Sequence, residues 1–395
     1  MSLAGWARQA REAWEVPRDL LLRRYPAFVT GGPLRRGEVP VFVFHSLEPV
    51  SFERKLRHLA DNGYAALSAD EYMDLLSERR PCREKAVLLT FDDGRGSLWT
   101  IGAPLLRRYG MRGVVFLVPG RMESRPGPLS PTWNDVATGQ ADAGQILARE
   151  AGPRALLSWE EVDALSHDGV FEFQSHTHRH ARIHVAPRLA GFLAPGFRHG
   201  YAAMDVPLLA SGGRDLLPHE APLGSPLLVS APRTSEALRF HEDEAFRSRC
   251  VDAVAQAGGE AFFSRPGWER ELRRLAAATA VRGRTETAAE REDAIRAELV
   301  RSKLAIEERT GRQVRHLCYP WHAWGPTARR LAAEAGYAAA YCGKLPGVPL
   351  TRPGGDPLAI VRIGEDYLEL LPGGGRSSLT EVLRRKWTRR LGGAA

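Results

Sequence analysis

The chain has 395 residues, of which 44% are hydrophobic and 26% are charged, and this composition is typical of a globular protein with one or two domains. Its net charge of +8 permits contact with anionic surfaces but does not identify one. Four scattered cysteines without a Cys-x-x-Cys pair predict neither a disulfide framework nor a cysteine zinc site. Because no transmembrane run or signal peptide is recognisable, we expect a protein that is cytoplasmic or peripheral at the inner face of a membrane.

Residues 1–36 predict an amphipathic helical segment. Leu3, Trp6 and Ala10 recur at roughly helical spacing, and arginines lie between the apolar residues. Such a helix most often packs on its own domain, and the alternative is a helix that lies on an anionic membrane surface. A basic tail over residues 373–395 allows two similar interpretations, a solvated helix end or a peripheral membrane contact.

Two predicted strands end in residues with reactive side chains. Val39–Phe44 is apolar with β-branched and aromatic residues, which predicts a strand that ends at His45. Ala86–Leu89 predicts a buried parallel strand that leads into Asp92 and Asp93. Because neighbouring side chains of a strand alternate, one acid can bind a metal while the other faces a water or a substrate. An ordinary strand followed by an Asp-Gly turn is the alternative.

A second polar stretch follows a β-like run at Val170–Gln174, where His176, His178 and His180 alternate. His176 and His180 are four residues apart, so one helical turn would place both side chains on one face. Neutral imidazole is the commonest metal ligand, and two histidines with one carboxylate leave coordination positions open for water. A solvated histidine-rich loop is the alternative, and three histidines directly after a strand make it less favourable.

Strands and helices alternate along most of the chain. Further strands are predicted at 113–118, 314–318, 338–342 and 358–363, and helices at 99–109, 158–169, 287–308 and 326–335. This alternation implies parallel strands and an α/β barrel. Prolines and glycines interrupt residues 187–290, which predicts an inserted, loop-rich and helical subdomain at one rim. The barrel domain is therefore expected in two parts, residues 37–186 and 291–372.

The two polar stretches together resemble a known family. Thr90-Phe91-Asp92-Asp93-Gly94 and Ser175-His176-Thr177-His178-Arg179-His180 look like two signatures of the polysaccharide deacetylases with a NodB-homology domain, carbohydrate esterase family 4. They occur in the family's order. The resemblance implies an incomplete, distorted (β/α) barrel, which agrees with the alternation of strands and helices.

The resemblance also implies roles for individual residues. Asp93, His176 and His180 correspond to the family's ligands of a divalent metal, usually zinc. Asp92 corresponds to the general base. His178 lies between two ligand positions and is not a ligand in the family pattern.

A third stretch, Tyr319-Pro320-Trp321-His322, follows the strand predicted at 314–318. It resembles the family motif whose backbone amide after the proline contributes to the oxyanion hole, so Trp321 is expected to supply that amide. The resemblance implies that Tyr319, Pro320, Trp321 and His322 bind the substrate. Many relatives have Arg-Pro-Pro at this position, with the arginine orienting the base, and this chain lacks that arginine. An ordinary junction with a buried tryptophan is the alternative.

The histidine at the end of the first predicted strand resembles that of deacetylases of the biofilm poly-N-acetylglucosamine type. In those proteins an early histidine supplies the general acid, so the resemblance implies this role for His45. A histidine satisfied by a backbone carbonyl is the alternative, and His322 is the main competitor as the acid. Glu365 or Asp366, at the end of the last strand, is expected to orient the catalytic histidine.

These assignments predict a metal-dependent hydrolase that removes N-acetyl or related N-acyl groups from an amino-sugar-containing polysaccharide or a lipid-linked saccharide. A deformylase of a lipid-linked amino sugar would use the same chemistry. A catalytically inactive carbohydrate-binding relative and a basic scaffold at a membrane also stay open. The expected partners are the glycan and a membrane surface that the basic terminal segments contact, and no nucleic acid.

Overall fold

A computed structural model describes residues 18–391 with the exception of Leu20, Arg23, Cys82 and Arg83. The amphipathic helix predicted around Leu3 lies outside the described residues. Among the helices within 18–391, none combines the length and the apolar character that crossing a bilayer requires.

Parallel strands form the centre of the described structure. In chain order the strands are β1 Val41–Phe44, β2 Ala65–Ala66, β3 Ala86–Phe91, β4 Gly113–Leu117, β5 Phe171–Ser175, β6 Arg182–Phe192, β7 Leu209–Ser211, β8 Arg214–Leu216, β9 Pro226–Pro232, β10 Phe240–Glu242, β11 Gly283–Thr285, β12 His316–Cys318, β13 Ala339–Cys342, β14 Ile360–Val361 and β15 Ile363–Gly364. Nine of them form one sheet in the order β14-β13-β12-β5-β4-β3-β1-β15, with β2 paired to β3. Every pairing in this sheet is parallel.

The two edges of this sheet meet at a single residue, Arg362. The strand β14 pairs with β13, with Ile360 opposite Tyr341, and β15 pairs with β1, with Ile363 opposite Phe42. Since only Arg362 separates β14 from β15, the sheet curls into a nearly closed barrel. The predicted (β/α) barrel is confirmed.

Helices connect the strands and cover the outside of the barrel. In chain order the α-helices are α1 Pro49–Asp61, α2 Ala69–Leu76, α3 Ala103–Arg108, α4 Trp133–Ala137, α5 Ala143–Ala148, α6 Trp159–Asp168, α7 Glu244–Gln256, α8 Trp268–Ala277, α9 Ala288–Thr310, α10 Pro326–Glu334 and α11 Leu379–Leu391. Capping boxes begin α6, at Ser158 and Glu161, and α9, at Thr287 and Glu290. The positions of these two helix starts agree with the sequence pattern.

An aromatic cluster fixes neighbouring strands of the barrel against α1. Phe91 of β3 stacks on Phe44 of β1 with 5.1 Å between ring centroids, and it meets Phe52 of α1 and Phe171 of β5 edge-on. Burying an aromatic or large aliphatic side chain stabilises a fold by roughly 1.5–3 kcal/mol. The cluster therefore holds the strands that carry the polar stretches in a fixed register.

The chain leaves the barrel at Arg182 and returns to it at Ala288, the start of α9. The inserted segment between these two residues contains three two-stranded antiparallel sheets, β6 with β9, β7 with β8 and β10 with β11. It also contains α7 and α8. The prediction of a loop-rich and helical insertion was therefore incomplete. The paired residues are 34–50 positions apart in β6–β9 and 41–45 apart in β10–β11, and such pairing is not visible in the local pattern. The predicted domain boundaries stay predictions.

Candidate metal and catalytic site

Asp93, His176 and His180 converge at the carboxyl ends of β3 and β5. Oδ1 of Asp93 lies 3.7 Å from Nε2 of His176 and 3.6 Å from Nε2 of His180. The donor atoms of these three residues all lie within 4.8 Å of one another, and the three side chains are buried. One carboxylate and two imidazoles that point at the same space are a donor set suited to zinc and similar divalent metals. The residues present therefore fit a metal ion.

A hydrogen bond prepares His176 for this role, and burial prepares both histidines. Nδ1 of His176 lies 2.8 Å from the carbonyl oxygen of Cys318, so the ring donates there and keeps the lone pair of Nε2 free. Burial lowers the pKa of His176, and it lowers the pKa of His180 still further. Both rings are consequently neutral near pH 7, and neutral imidazole is the form that binds metals.

Glu298 of α9 holds the loop that carries the two histidines. Its backbone carbonyl accepts a hydrogen bond from the amide of His178 at 3.1 Å. Its buried carboxylate accepts two more from Arg179, at 2.8 Å from the backbone nitrogen and 2.7 Å from Nε. These bonds fix the loop without using the ligand atoms of His176 or His180.

Backbone strain is concentrated at the site. Seven non-glycine residues of the described chain have a positive φ, and five of them belong to the polar stretches: Asp93, Thr177, His180, Trp321 and His322. Each such conformation costs roughly 1–3 kcal/mol and persists only where surrounding contacts impose it. Surrounding contacts such as those of Glu298 therefore hold the loops in conformations that the isolated peptide would avoid.

Asp92 is held by a residue that the sequence did not identify. Nη1 of Arg362 donates to its Oδ1 at 2.7 Å, and Nη2 donates to its Oδ2 at 2.7 Å. Both side chains are buried. Burial alone would raise the pKa of Asp92, but the Arg362 guanidinium outweighs it and holds the pKa below its usual range. Arg362 is thus the basic partner of Asp92, the predicted base, and the motif at residues 319–322 did not supply such a partner.

The same guanidinium argues against a second metal site. Asp92, His176 and Cys318 also lie close enough together to hold an ion. However, Nη2 of Arg362 lies 2.9 Å from the Cys318 sulfur, in addition to its bond to Asp92. Burial raises the pKa of the Cys318 thiol well above its usual value, which keeps it protonated. A cation and a protonated thiol disfavour a metal, so the Asp93, His176 and His180 set is the better candidate.

His45 and His322 both lie beside Asp92. Nε2 of His45 is 3.9 Å from Oδ2 of Asp92, and the imidazole is partly exposed. Nδ1 of His322 is 3.5 Å from Nη2 of Arg362. Desolvation by the surrounding protein and the charge of Arg362 lower the pKa of His322 to about 3. His322 is therefore neutral at pH 7, which makes His45 the better candidate for the proton donor.

Trp321 forms a wall of the site. Its ring lies 3.9 Å, centroid to centroid, from the ring of His180, and its indole Nε1 donates to Asp205 at 3.2 Å. The turn around it uses the amides of His322 and Ala323, which donate to the carbonyls of Tyr319 and Pro320. Through Asp205, the inserted segment positions the tryptophan over a predicted metal ligand.

The side chains of Tyr319 and Pro320 lie deeper than those of Trp321 and His322. Both are buried, and Tyr319 stacks on Trp324 with 5.6 Å between centroids. Trp321 and His322 are more exposed than Tyr319 and Pro320. Substrate binding by the four residues stays a prediction.

Arg95 is a further neighbour of the metal set, and no pattern in the sequence identified it. Its Nε lies 3.2 Å from Oδ2 of Asp93, and its guanidinium lies 4.0 Å from the ring centroid of Tyr201. Burial would raise the pKa of Asp93, but Arg95 and then His180 lower it to about 2. Arg95 thus leaves Oδ1 directed at the two histidines.

The acids expected to orient a histidine have other partners. Glu365 pairs with Lys55 at 2.5 Å, and Asp366 pairs with Lys386 at 3.4 Å. These pairs attach α1 and α11 to the end of the barrel, and orientation of a histidine by either acid stays a prediction.

Residues 79–189 match the family profile described as polysaccharide deacetylase, and this segment includes Asp92, Asp93, His176 and His180. This segment is therefore similar to the polysaccharide deacetylases. His45 and residues 319–322 lie outside the matched segment. A relative in Bacillus subtilis (strain 168), YxkH, whose name assigns it provisionally to the polysaccharide deacetylases, is 32% identical over 89 residues. That match covers 20% of this chain and 32% of YxkH, or about a third of the relative's length.

Solved structures similar to this chain include two deacetylases. The BpsB deacetylase domain from Bordetella bronchiseptica is 17% identical with a TM-score of 0.48, over 84% of this chain and 97% of that one. A de-N-acetylase from Aggregatibacter actinomycetemcomitans is 16% identical with a TM-score of 0.46, over 82% of this chain and 94% of that one. The fold of this protein is established by its own strand order.

Proposed function

We propose that this protein is a metal-dependent N-deacetylase that acts on the N-acetylated amino sugar of a polysaccharide or of a lipid-linked saccharide. The observation that supports the proposal is the position of Asp92. It lies between the Asp93, His176 and His180 set, which fits a divalent metal, and the partly exposed His45. An ion site, a held carboxylate and a proton donor within a few ångströms of one another are the parts that amide hydrolysis needs.

The proposed catalytic role of each group follows from its position. A bound divalent ion, held by Asp93, His176 and His180, supplies a Lewis acid that polarises an amide oxygen and makes a water more acidic. Asp92 accepts the proton of the attacking water, because Arg362 keeps the carboxylate ionised and fixes its orientation. The backbone amide of Trp321 donates to the oxyanion.

His45 completes the reaction in this proposal. It donates a proton to the nitrogen as the carbon–nitrogen bond breaks, so that the departing group is a neutral amine. One water is consumed, and the products are acetate and a free amine on the sugar. Nothing in these contacts distinguishes acetyl from formyl, so deformylation of a lipid-linked amino sugar stays the second candidate.

The deciding experiment measures the acid released by purified protein. N-acetylated glucosamine oligosaccharides and lipid-linked N-acyl sugars are offered to wild-type protein, to chelator-treated protein and to treated protein with zinc restored. We expect acetate from the first and third samples and none from the second. Release of formate alone would favour the deformylase. Metal and glycan binding without any acid release would identify a binding protein and reject the proposal.

A further inference from the structure

The excess positive charge of the chain lies in its two terminal segments. Residues 1–36 hold seven arginines and three acids, and residues 376–395 hold six basic residues and one acid. Together these segments carry a net charge of +9, against +8 for the whole chain. The remaining residues, 37–375, are therefore slightly acidic. Such a separation of charge creates a local positive field where the chain as a whole is nearly neutral.

The fold joins the described parts of these two segments into one surface. The guanidinium of Arg376 donates to the carbonyl oxygens of Phe28, Gly31 and Gly32, at 2.6, 3.0 and 3.0 Å. The hydroxyl groups of Tyr25 and Tyr367 lie 2.9 Å apart. Segments that are separated by more than 300 residues in sequence thus share one face of the molecule.

This surface reaches the end of the barrel that carries the metal set. Lys344 follows the carboxyl end of β13, and it donates to the Tyr25 hydroxyl at 3.0 Å and pairs with Asp19 at 2.5 Å. Asp366 follows the carboxyl end of β15 and pairs with Lys386 of α11 at 3.4 Å. Since the carboxyl ends of parallel strands lie at the same end of a barrel, these residues stand beside the mouth of the site.

Large apolar side chains are exposed within this basic surface. Leu21 is 84% exposed, and Leu22, Val348 and Trp387 are also exposed. The loop of Val348 is attached here, because the amide of Gly347 donates to the carbonyl of Leu22 at 3.2 Å. Exposed leucine and tryptophan among arginines and lysines are the pattern of a surface that inserts into the headgroup region of a bilayer.

A cavity of about 910 Å³ opens at this surface. Its lining is largely apolar, with Tyr25, Trp324, Leu345, Val348 and Leu350, and it also includes the charged residues Arg35, Glu38, Arg352 and Asp356. Trp324 stacks on Tyr319, directly before the oxyanion turn. An apolar cavity that opens beside exposed leucines suits a lipid chain better than a free, hydrated glycan.

We propose that this terminal rim, formed by Arg18, Leu21, Leu22, Val348, Lys386 and Trp387, docks the protein on an anionic lipid bilayer with the mouth of the barrel facing the headgroups. Arg18 and Lys386 pair with Asp19 and Asp366, so it is the excess of basic over acidic residues in the terminal segments that attracts the negative leaflet. The apolar side chains enter the interface. A nucleic acid would contact only the basic side chains, and the Leu21 side chain would stay exposed to water. Docking goes beyond the proposed deacetylation and does not depend on it.

The test is co-sedimentation of the full-length protein with vesicles. Vesicles of phosphatidylcholine mixed with phosphatidylglycerol are expected to bind the wild type, and pure phosphatidylcholine vesicles are not. Raising the ionic strength from about 0.15 M to about 1 M shortens the screening length from about 8 Å to about 3 Å and should release most of the protein. Equal binding to both vesicles, or binding to neither, would overturn the proposal.

Paired variants distinguish vesicle binding through the rim from nonspecific hydrophobic binding. Leu21→Ser combined with Leu22→Ser should lower the partition coefficient roughly tenfold or more, because the inserted apolar area is lost. Leu304→Ser on α9 is the matched control, since Leu304 is 57% exposed but distant in the fold from the terminal segments, and it should bind like the wild type. Equal losses in both variants would reject the rim.

Two further measurements test membrane docking and catalysis independently of each other. Asp93→Asn should bind vesicles like the wild type, because it alters only the metal set. The Leu21→Ser, Leu22→Ser protein should keep the wild-type rate on a water-soluble N-acetylated oligosaccharide, since Leu21 is exposed and outside the site. Failure of deacetylation with intact vesicle binding would reject only the proposed function. Retention on single-stranded DNA without vesicle binding would assign the charge to nucleic acid and reject docking.

Discussion

Arg362 and Asp92 form a buried, two-point ion pair between residues that are 270 positions apart in sequence. Arg362 occupies the one position between β14 and β15, where the two edges of the sheet meet. The same guanidinium also contacts the Thr90 hydroxyl at 3.2 Å. Closure of the barrel and orientation of the proposed base therefore depend on one side chain.

Replacing Arg362 with lysine should reduce turnover while leaving the metal bound. An ammonium keeps the charge but cannot contact both oxygens of Asp92, so the carboxylate loses its fixed orientation. We expect kcat to fall by roughly 10- to 100-fold, with KM and metal content close to wild type. Steady-state kinetics and elemental analysis on the same preparation measure these quantities.

The matched control for Arg362→Lys is Arg233→Lys. Arg233 forms a similarly buried pair with Glu286 in the inserted segment, in which Nη2 alone donates to both carboxylate oxygens, at 2.7 and 2.8 Å. Both variants should lower the melting temperature, because each weakens a buried pair. Only Arg362→Lys should lower kcat, and equal kinetic losses in the two variants would reduce the role of Arg362 to stability.

Asp92→Asn should retain the metal and lose turnover by about 10²- to 10⁴-fold, because an amide cannot accept the proton of the attacking water. Arg362 then loses its anionic partner, so a thermal melt must first show that the variant is folded at the assay temperature. Metal content near the wild-type value together with lost activity would support the assignment. Loss of the metal in parallel with activity would show that the two aspartates have been exchanged in the proposal.

His176→Ala should abolish tight binding of zinc. Removing one of three ligands leaves too few donors for a stable site, and the apparent affinity should fall by at least 100-fold. His184→Ala provides the control, because His184 is equally buried but its ring nitrogens contact Glu242 and the amide of Leu228. Competition with a zinc-sensitive dye measures both affinities. Wild-type affinity in His176→Ala would disprove the ligand set.

His45→Gln and His322→Gln should affect turnover differently. The first removes the proposed proton donor, and we expect a loss of about 10²- to 10⁴-fold with the metal retained. The second removes a ring whose low pKa keeps it neutral at pH 7, so a smaller loss is expected, mostly in KM. The opposite order of effects would assign the general acid to His322.

The pH dependence of activity gives an independent check on the same pair. With a pKa of about 3, His322 would already be deprotonated throughout the range from pH 5 to pH 9 and would lose no proton there. A proton donor with this pKa would give an activity that declines from pH 4 upward. A wild-type rate that does not decline between pH 4 and pH 6 would exclude His322 as the donor.

The sequence by itself determined the strands and the groups at their ends. The strand before Asp92 and Asp93, and the strand before His176 and His180, are local apolar runs followed by polar residues, and local patterns report local structure. The alternation of strands and helices gave the barrel for the same reason. His45, His176 and Asp93 could be placed at one end of it because parallel strands end together.

Only the tertiary structure decided which side chains surround these groups. Arg362 follows a short apolar run and resembles any arginine near a strand end, and its link to Asp92 exists only because β15 closes the barrel against β1. Arg95 and Glu298 likewise act through contacts that no spacing in the sequence encodes. Pairing of a carboxylate with a distant guanidinium depends on distances in the folded chain, since electrostatic energy falls with separation in space and not along the backbone.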